Sequence, residues 1–368
     1  MKMIGSMSQA DREDSNITFR PIPFQIMPYG TGRSLSRISV SILGATNIKE
    51  DWSSFAWKGK ATPKMTNKKI ALTTGITSKT SQNWTNFVAQ EKGFFEKEGL
   101  NHDYVTMGDM RQGMDHLIQG KVPIVTAMAD TPILEIEKGA NIRIIASIAR
   151  TGFGHIVATS ECKTIKQLKG KSVAVIDPHS GSTVILREIL RRGGLSDQDY
   201  EVKHVGGTPK RYEALKRGEV AAAFLSPPYD FQAEAEGYTL LADYAEHFPS
   251  YPLTINVNMD FALSKPQVVI RYLKAMIKAS NWIYEKKNRD EAISILEKNV
   301  DVLHPFAEKT YDYVIQKIKA VSPGCNISLS ELENLVNLLV KAKLLKKDPS
   351  LTASKYLDLT FLEKAKNF

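Results

Sequence analysis

From Lys69 onward the chain alternates short apolar runs with amphipathic segments, and that rhythm leaves few folds open. "KIALTTG" reads as a strand, "NWTNFVAQEKGFFEKEGL" as a helix ending near Gly93, "NHDYVTM" as a strand, "DMRQGMDHLIQGK" as a helix, "VPIVTAMAD" as a strand, "TPILEIEKGA" as a helix and "NIRIIASIA" as a strand. The alternation resumes at "KTIKQLKG" and "KSVAVID", and runs through a helix from Ser182, then "YEVKHVG", "TPKRYEALKRGE", "VAAAFLS", "PPYDFQAEAEG" and "YTLLADYA". Strands separated by helices of this length pair as parallel βαβ units, and such sheets hold their ligands at the carboxyl ends of the strands. After "YPLTINVNMDFALSKP" the pattern turns helical, at 268–286, 289–299, 306–320 and 330–345. The expected class is therefore α/β, with two lobes and a helical C-terminal tail.

The 368 residues suffice for two domains with real cores, and 42% hydrophobic with 24% charged residues is the composition of an ordinary globular chain. No unbroken apolar run reaches the ~18 residues of a membrane-spanning helix. Two cysteines, Cys162 and Cys325, lie far apart and form neither a zinc motif nor a disulfide framework. The net charge of +9 is modest, and the first 69 residues hold eleven Lys/Arg against five Asp/Glu. No basic stripe with interleaved aromatics marks a nucleic-acid surface, so no nucleic-acid partner is expected. Residues 1–67 mix Ser, Thr, Gly and Pro with scattered charge and read as a flexible leader. The leader has no uninterrupted apolar core of secretory length, and Asp11, Glu13 and Asp14 argue against an organelle transit segment.

Candidate ligand contacts gather at strand ends. In "AVIDPHSGSTVILREILRRGG", Ile185, Leu186, Ile189 and Leu190 share one helical face while Arg187, Glu188, Arg191 and Arg192 take the other. Ser180, Gly181, Ser182 and Thr183 stand at the start of that helix. They read either as a cap for its free N–H groups or as a glycine-opened anion seat. Ser81, Gln82, Asn83 and Trp84 follow the first strand, with Trp84 either an aromatic wall or a packing residue. Gly108 and Asp109 follow the second strand, and Asp109 also suits a helix cap. Ala129, Asp130 and Thr131 follow the third, where capping is again the ordinary reading of Asp130. Ser226, Pro227 and Tyr229 follow the later strand "VAAAFLS".

Enzyme motifs fail on spacing. Gly170, Lys171 and Ser172 look like the end of a phosphate-binding loop, but Ile165 holds the place of its first glycine and the triplet precedes a strand. The sequence contains no GxGxxG, GxSxG or HExxH, and its seven histidines lack ligand-like spacing. No catalytic residue, metal site or cofactor is expected.

The order of "VAQEKGFFEKEGL", "GKVPIVTAMADTPILEIEKGANIRIIASIA", "TIKQLKGKSVAVIDPHSGST" and "YEALKRGEVAAAFLSPPYDFQAEAEGY" resembles the nitrate, sulfonate, taurine and thiamine-pyrimidine-precursor solute-binding proteins. The resemblance covers roughly residues 68 to 320. It implies a type II periplasmic-binding-protein fold with parallel-rich sheets and a cleft between lobes, one lobe from 68–157 plus 250–368 and the other from 158–249. The expected hinge strands lie near 152–159 and 251–259. The implied function is capture of a small organic anion or heteroaromatic (sulfonate, carboxylate or pyrimidine-like) for an ABC transporter permease and ATPase, by a monomer at the periplasm or cell surface. Without a clear signal peptide, a cytoplasmic location stays open. In such proteins the loop before the second lobe's helix contacts the ligand, which favours Ser180 to Thr183 as contacts, and the loop holding Asp130 lines the cleft. His179 takes a place where glycine is common, and it either reads a carboxylate or faces solvent. The alternative is an intracellular enzyme or sensor on the same fold. The fungal pyrimidine synthases of thiamine biosynthesis carry a cysteine-rich iron motif and a reactive histidine, and this chain has no cysteine cluster and reads Trp84-Thr85-Asn86 at the histidine's place.

Overall fold

In the computed structural model, the described residues are 69–367 apart from 109, 179, 249, 347 and 349–351. The leader expected over 1–67 lies outside them, as do Asp109 and His179. In chain order come β1 (Ile70–Ile76), α1 (Trp84–Glu91), α2 (Phe94–Lys97), β2 (Leu100–Thr106), α3 (Met110–Ile118), β3 (Ile124–Met128), α4 (Asp130–Glu137) and β4 (Ile142–Ala149). A second run follows: β5 (His155–Ala158), β6 (Ser172–Val175), α5 (Gly181–Arg192), β7 (Glu201–His204), α6 (Thr208–Lys216), β8 (Ala222–Leu225), α7 (Tyr229–Ala235), β9 (Thr239–Asp243) and α8 (Tyr244–His247). The chain closes with β10 (Leu253–Asn258), α9 (Met259–Ser264), α10 (Pro266–Trp282), α11 (Arg289–Val300), α12 (His304–Tyr311), α13 (Leu329–Lys341) and α14 (Thr360–Lys366).

These strands build two five-stranded sheets, ordered β2-β1-β3-β10-β4 and β7-β6-β8-β5-β9. β1 runs parallel to β2 and β3, and β6 runs parallel to β7 and β8, as βαβ crossovers require. Each sheet also takes one antiparallel strand. β10 inserts between β3 and β4, and β5 between β8 and β9. These are the strands the chain forms immediately after passing from one sheet to the other, and they fall where hinge strands were expected. The second sheet begins at His155, three residues before the boundary read at 158, because all of β5 pairs with β8 and β9.

Local chemistry explains the element ends. The helix expected to end near Gly93 stops at Glu91, and Gly93, at φ +63, takes the left-handed turn from which the four-residue α2 starts. β4, "IRIIASIA", is buried at seven of eight positions because helices cover both faces of its sheet. α10 lays Val269, Tyr272, Leu273 and Met276 into the core shared by the first sheet and the C-terminal helices. The helix expected over 306–320 begins at His304 and passes into a π-helical segment at Asp312–Lys317. The chain beyond 345 adds α14 and a bridge from Leu357 to Ile144 at the edge strand β4, neither of which its polar, irregular sequence announces. No helix among the described residues is long and apolar enough to cross a membrane.

Candidate functional site

The carboxyl ends of β1 and β3 in one sheet and of β6 and β8 in the other open onto a common cavity. Its lining includes Ser78 and Gln82 beyond β1, Met128, Asp130 and Thr131 at the β3–α4 junction, and Ile176, Ser180 and Ser182 between β6 and α5. Thr208 and Arg211 of α6, Phe224 and Ser226 at the end of β8, Tyr244 of α8, Leu253 at the start of β10 and Tyr251 just before it also line it. The cavity has a volume of about 640 Å³ with its open mouth included, and its walls set the Phe224, Tyr244 and Tyr251 rings beside a few polar side chains, the make-up of a small-molecule site.

Asp130 is the best-fixed group in it. Its side chain is 1% exposed; Oδ2 accepts from the Gly181 N–H at 2.6 Å, and Oδ1 accepts a hydrogen bond from the Tyr251 hydroxyl. A Cβ at position 181 would stand 2.7 Å from the Asp130 Cβ and Cγ and 2.5 Å from the Tyr251 oxygen. Gly181 is therefore needed for the approach of the protein's own carboxylate. Burial raises the Asp130 carboxyl above its ordinary range, against the opposing pull of the Tyr251 and Gly181 hydrogen bonds. Burial also raises the Tyr251 phenol, and the neighbouring Asp130 charge adds to the shift.

Arg211 supplies the opposite charge. It is 3% exposed and gives Nε–H to the Phe224 carbonyl at 2.8 Å, one Nη2–H to Thr208 Oγ1 at 3.0 Å and one Nη1–H to the Gly206 carbonyl. All three acceptors are neutral, and among the described residues no carboxylate pairs with it. Two of its five N–H donors remain. Burial lowers its pKa to about 10, with Tyr244 acting slightly the other way, so it stays a cation at neutral pH. Beside it Phe224 and Tyr244 stack at 3.8 Å with 26° between planes, and the guanidinium sits 5.8 Å from the Phe224 ring centre.

Of the residues proposed from sequence, Gln82, Asp130, Thr131, Ser180, Ser182 and Ser226 line the cavity, and Gly181 meets it through Asp130. Others have different work. Ser81 Oγ donates to the Pro227 carbonyl at 2.5 Å, joining the loop after β1 to the loop after β8. Asn83 braces the same loop through Ser78 and Thr126. Trp84 corrects the expected aromatic wall. It is fully buried, donates Nε1–H to the Ala292 carbonyl at 2.9 Å and meets Tyr311 edge-on, so it belongs to the core under α11 and α12. Gly108 makes a left-handed turn, and Ala129 is buried with its N–H on the Pro252 carbonyl. Thr183 gives its hydroxyl to the Asp177 carbonyl, and Ser180 accepts from the Thr183 N–H as the α5 cap. Tyr229 packs beside Tyr212 and is not among the lining side chains.

The sequence reading passed over Arg211, Phe224, Tyr244 and Tyr251. Arg211 had one signal: in "TPKRYEALKRGE" it lies four residues before Leu215, on the buried face of α6.

Fold and cleft together define a two-lobed α/β architecture with a ligand-sized cavity between its two sheets. The chain belongs to the NMT1/THI5-like family, whose model matches residues 81–290, more than half of its length. It is 22% identical to the formylaminopyrimidine-binding protein of Halalkalibacterium halodurans over 63% of this chain and 73% of that protein. Among solved structures it resembles the periplasmic nitrate-binding protein NrtA of Synechocystis PCC 6803, with a TM-score of 0.69 at 15% identity over 81% of this chain and 88% of that one. It also resembles the alkanesulfonate-binding protein SsuA of Xanthomonas axonopodis pv. citri bound to MOPS, with a TM-score of 0.65 at 17% identity over 78% and 98%. The desulfurization enzyme DSZB has the same architecture, with a TM-score of 0.58 at 15% identity over 81% and 99%, so the fold serves enzymes as well as binding proteins.

Proposed function

We propose that this protein is a solute receptor that holds a small planar organic molecule bearing one acidic group in the slot between its two sheets. The acidic group lies on Arg211, and the flat body lies against Phe224 and Tyr244. The observation that carries this reading is the buried Arg211 guanidinium, which faces the cavity with two N–H groups beyond those given to Phe224, Gly206 and Thr208 and, among the described residues, no carboxylate partner. A buried cation with only neutral acceptors is costly, and an anion brought in by the ligand offsets that cost. The receptor works as a monomer on the outer side of the cytoplasmic membrane and hands its solute to an ABC transporter permease and ATPase; the periplasmic proteins among its structural relatives support this assignment.

An enzymatic reading on the same fold draws support from the likeness to DSZB. Binding without chemistry is the better reading, because the described lining residues include no cysteine or histidine and the one carboxylate is held by Gly181 and Tyr251. The test is mass spectrometry of the small molecule that copurifies with the protein, followed by calorimetry against sulfonates, carboxylates and pyrimidines with and without an acidic substituent. Binders are expected to share a planar body and one acidic group, and to be recovered unchanged after incubation. Binding of neutral or cationic amines alone would contradict the role of Arg211, and recovery of a product would favour the enzyme.

A further inference from the structure

We infer that Asp130 is a specificity-determining residue of this cleft: its carboxylate fills the anion seat at the start of α5 and so restricts the ligand to a single acidic group, placed on Arg211. The inference rests on the proposed reading only in assigning the ligand's acid to Arg211.

The start of a twelve-residue helix offers unpaired N–H groups and a favourable dipole to an anion. Here an anion is already there. Asp130 reaches from α4 on the first sheet to the Gly181 N–H on the second at 2.6 Å, and Tyr251, just before β10, holds its other oxygen. The hydroxyls around that seat are also engaged. Ser180 Oγ donates to the Asp177 carbonyl at 2.9 Å and lies 2.9 Å from Ser182 Oγ, and Thr183 donates to the same carbonyl at 2.6 Å. A second acidic group on a ligand would have to displace a carboxyl group already held by the Gly181 N–H, the Tyr251 hydroxyl and, at 3.4 Å, the Thr131 hydroxyl.

Removing the carboxylate while keeping the seat should therefore admit an oxyanion. Asp130→Ser and Asp130→Ala are expected to bind inorganic sulfate and ethane-1,2-disulfonate about ten- to a hundredfold more tightly than wild type, the range for one charge-assisted hydrogen bond gained. Asp130→Asn keeps an amide oxygen on the Gly181 N–H and should show no gain. The increase should persist when Arg211→Met is added to Asp130→Ser, because the new anion does not use the guanidinium. Folded Asp130→Ser and Asp130→Ala proteins with wild-type sulfate affinity would overturn the proposal. So would a gain that disappears with Arg211→Met, since the sulfate would then sit at Arg211. On the unsubstituted chain the Gly181 amide resonance should stay in place as sulfate is added, and a saturating shift would overturn the proposal with no variant needed. Failure of the Arg211 reading has a separate signature: Arg211→Met alone would leave affinity for the copurified ligand unchanged.

Discussion

Arg211→Met is expected to weaken binding of the acidic solute about a hundredfold or more while leaving the fold in place. Methionine fills a similar volume and removes the only cation on the cavity wall among the described residues. Two charge-assisted hydrogen bonds at ~1.5 to 3 kcal/mol each set the scale, and a hundredfold loss lies at its lower end. The substitution also strips a donor from the Phe224 and Gly206 carbonyls and from Thr208, so urea unfolding should show a loss of about 1 to 3 kcal/mol. Arg211→Lys keeps the charge but cannot span those acceptors and the ligand together, and should fall between the two. Calorimetry on the three proteins checks the order. Equal affinities would remove Arg211 from the site.

The second large effect is on acid stability. His102 on β2 is 6% exposed, stacked at 3.8 Å on Phe95, with Nδ1 2.8 Å from Gln90 Oε1 and Nε2 3.0 Å from the Thr74 hydroxyl. Each ring nitrogen thus has a polar partner within hydrogen-bond distance. Burial lowers the ring's pKa from 6.5 to about 4, with the Asp103 charge opposing. Between those values the unfolded chain binds a proton that the folded chain refuses. The stability due to the neutral ring is therefore complete above pH 6.5 and is lost as the pH falls through 4. A shift of that size amounts to about 3 kcal/mol. Urea unfolding at pH 7 and pH 4.5 should show the loss in wild type, and His102→Gln should flatten it; an equal slope in both proteins would assign the effect elsewhere. His155 acts in the other direction. Burial pulls its pKa down, but the bonded Asp230 and nearby Asp243 and Glu234 raise it overall above 6.5. Its contribution is present below 6.5 and fades as the pH rises through the raised value, so the two buried histidines bracket the window of greatest stability.

The alternation of "KIALTTG", "NHDYVTM" and "VPIVTAMAD" with amphipathic helices was legible because strand and helix periods differ and parallel pairing follows from the crossovers. The positions of β5 and β10 in their sheets were not, because an apolar run looks the same whether it joins the edge or is inserted antiparallel between two others. Asp130, Thr131, Ser180, Ser182, Gln82 and Ser226 could be found by reading small and polar residues at strand ends, since that is where the backbone turns toward the cleft. Trp84 and Tyr229 were misplaced because an aromatic at a helix start suits a core as well as a ligand wall. Arg211 was passed over because Lys210, Arg211, Lys216 and Arg217 together look like a solvated face, and only the packing of α6 on β8 buries one of them. Gly181 shows the deeper limit. Its partner Asp130 lies 51 residues earlier, and no local pattern says whether a glycine at a helix start awaits a ligand or a distant side chain.

The most direct test of the central claim is the crystal structure of the protein with the small molecule that copurifies with it. The account predicts difference density in the slot beside Phe224 and Tyr244, with an acidic oxygen within ~3.2 Å of the Arg211 guanidinium and Asp130 still on the Gly181 N–H. Density at another place on the surface, or in the slot with nothing at Arg211, would contradict it.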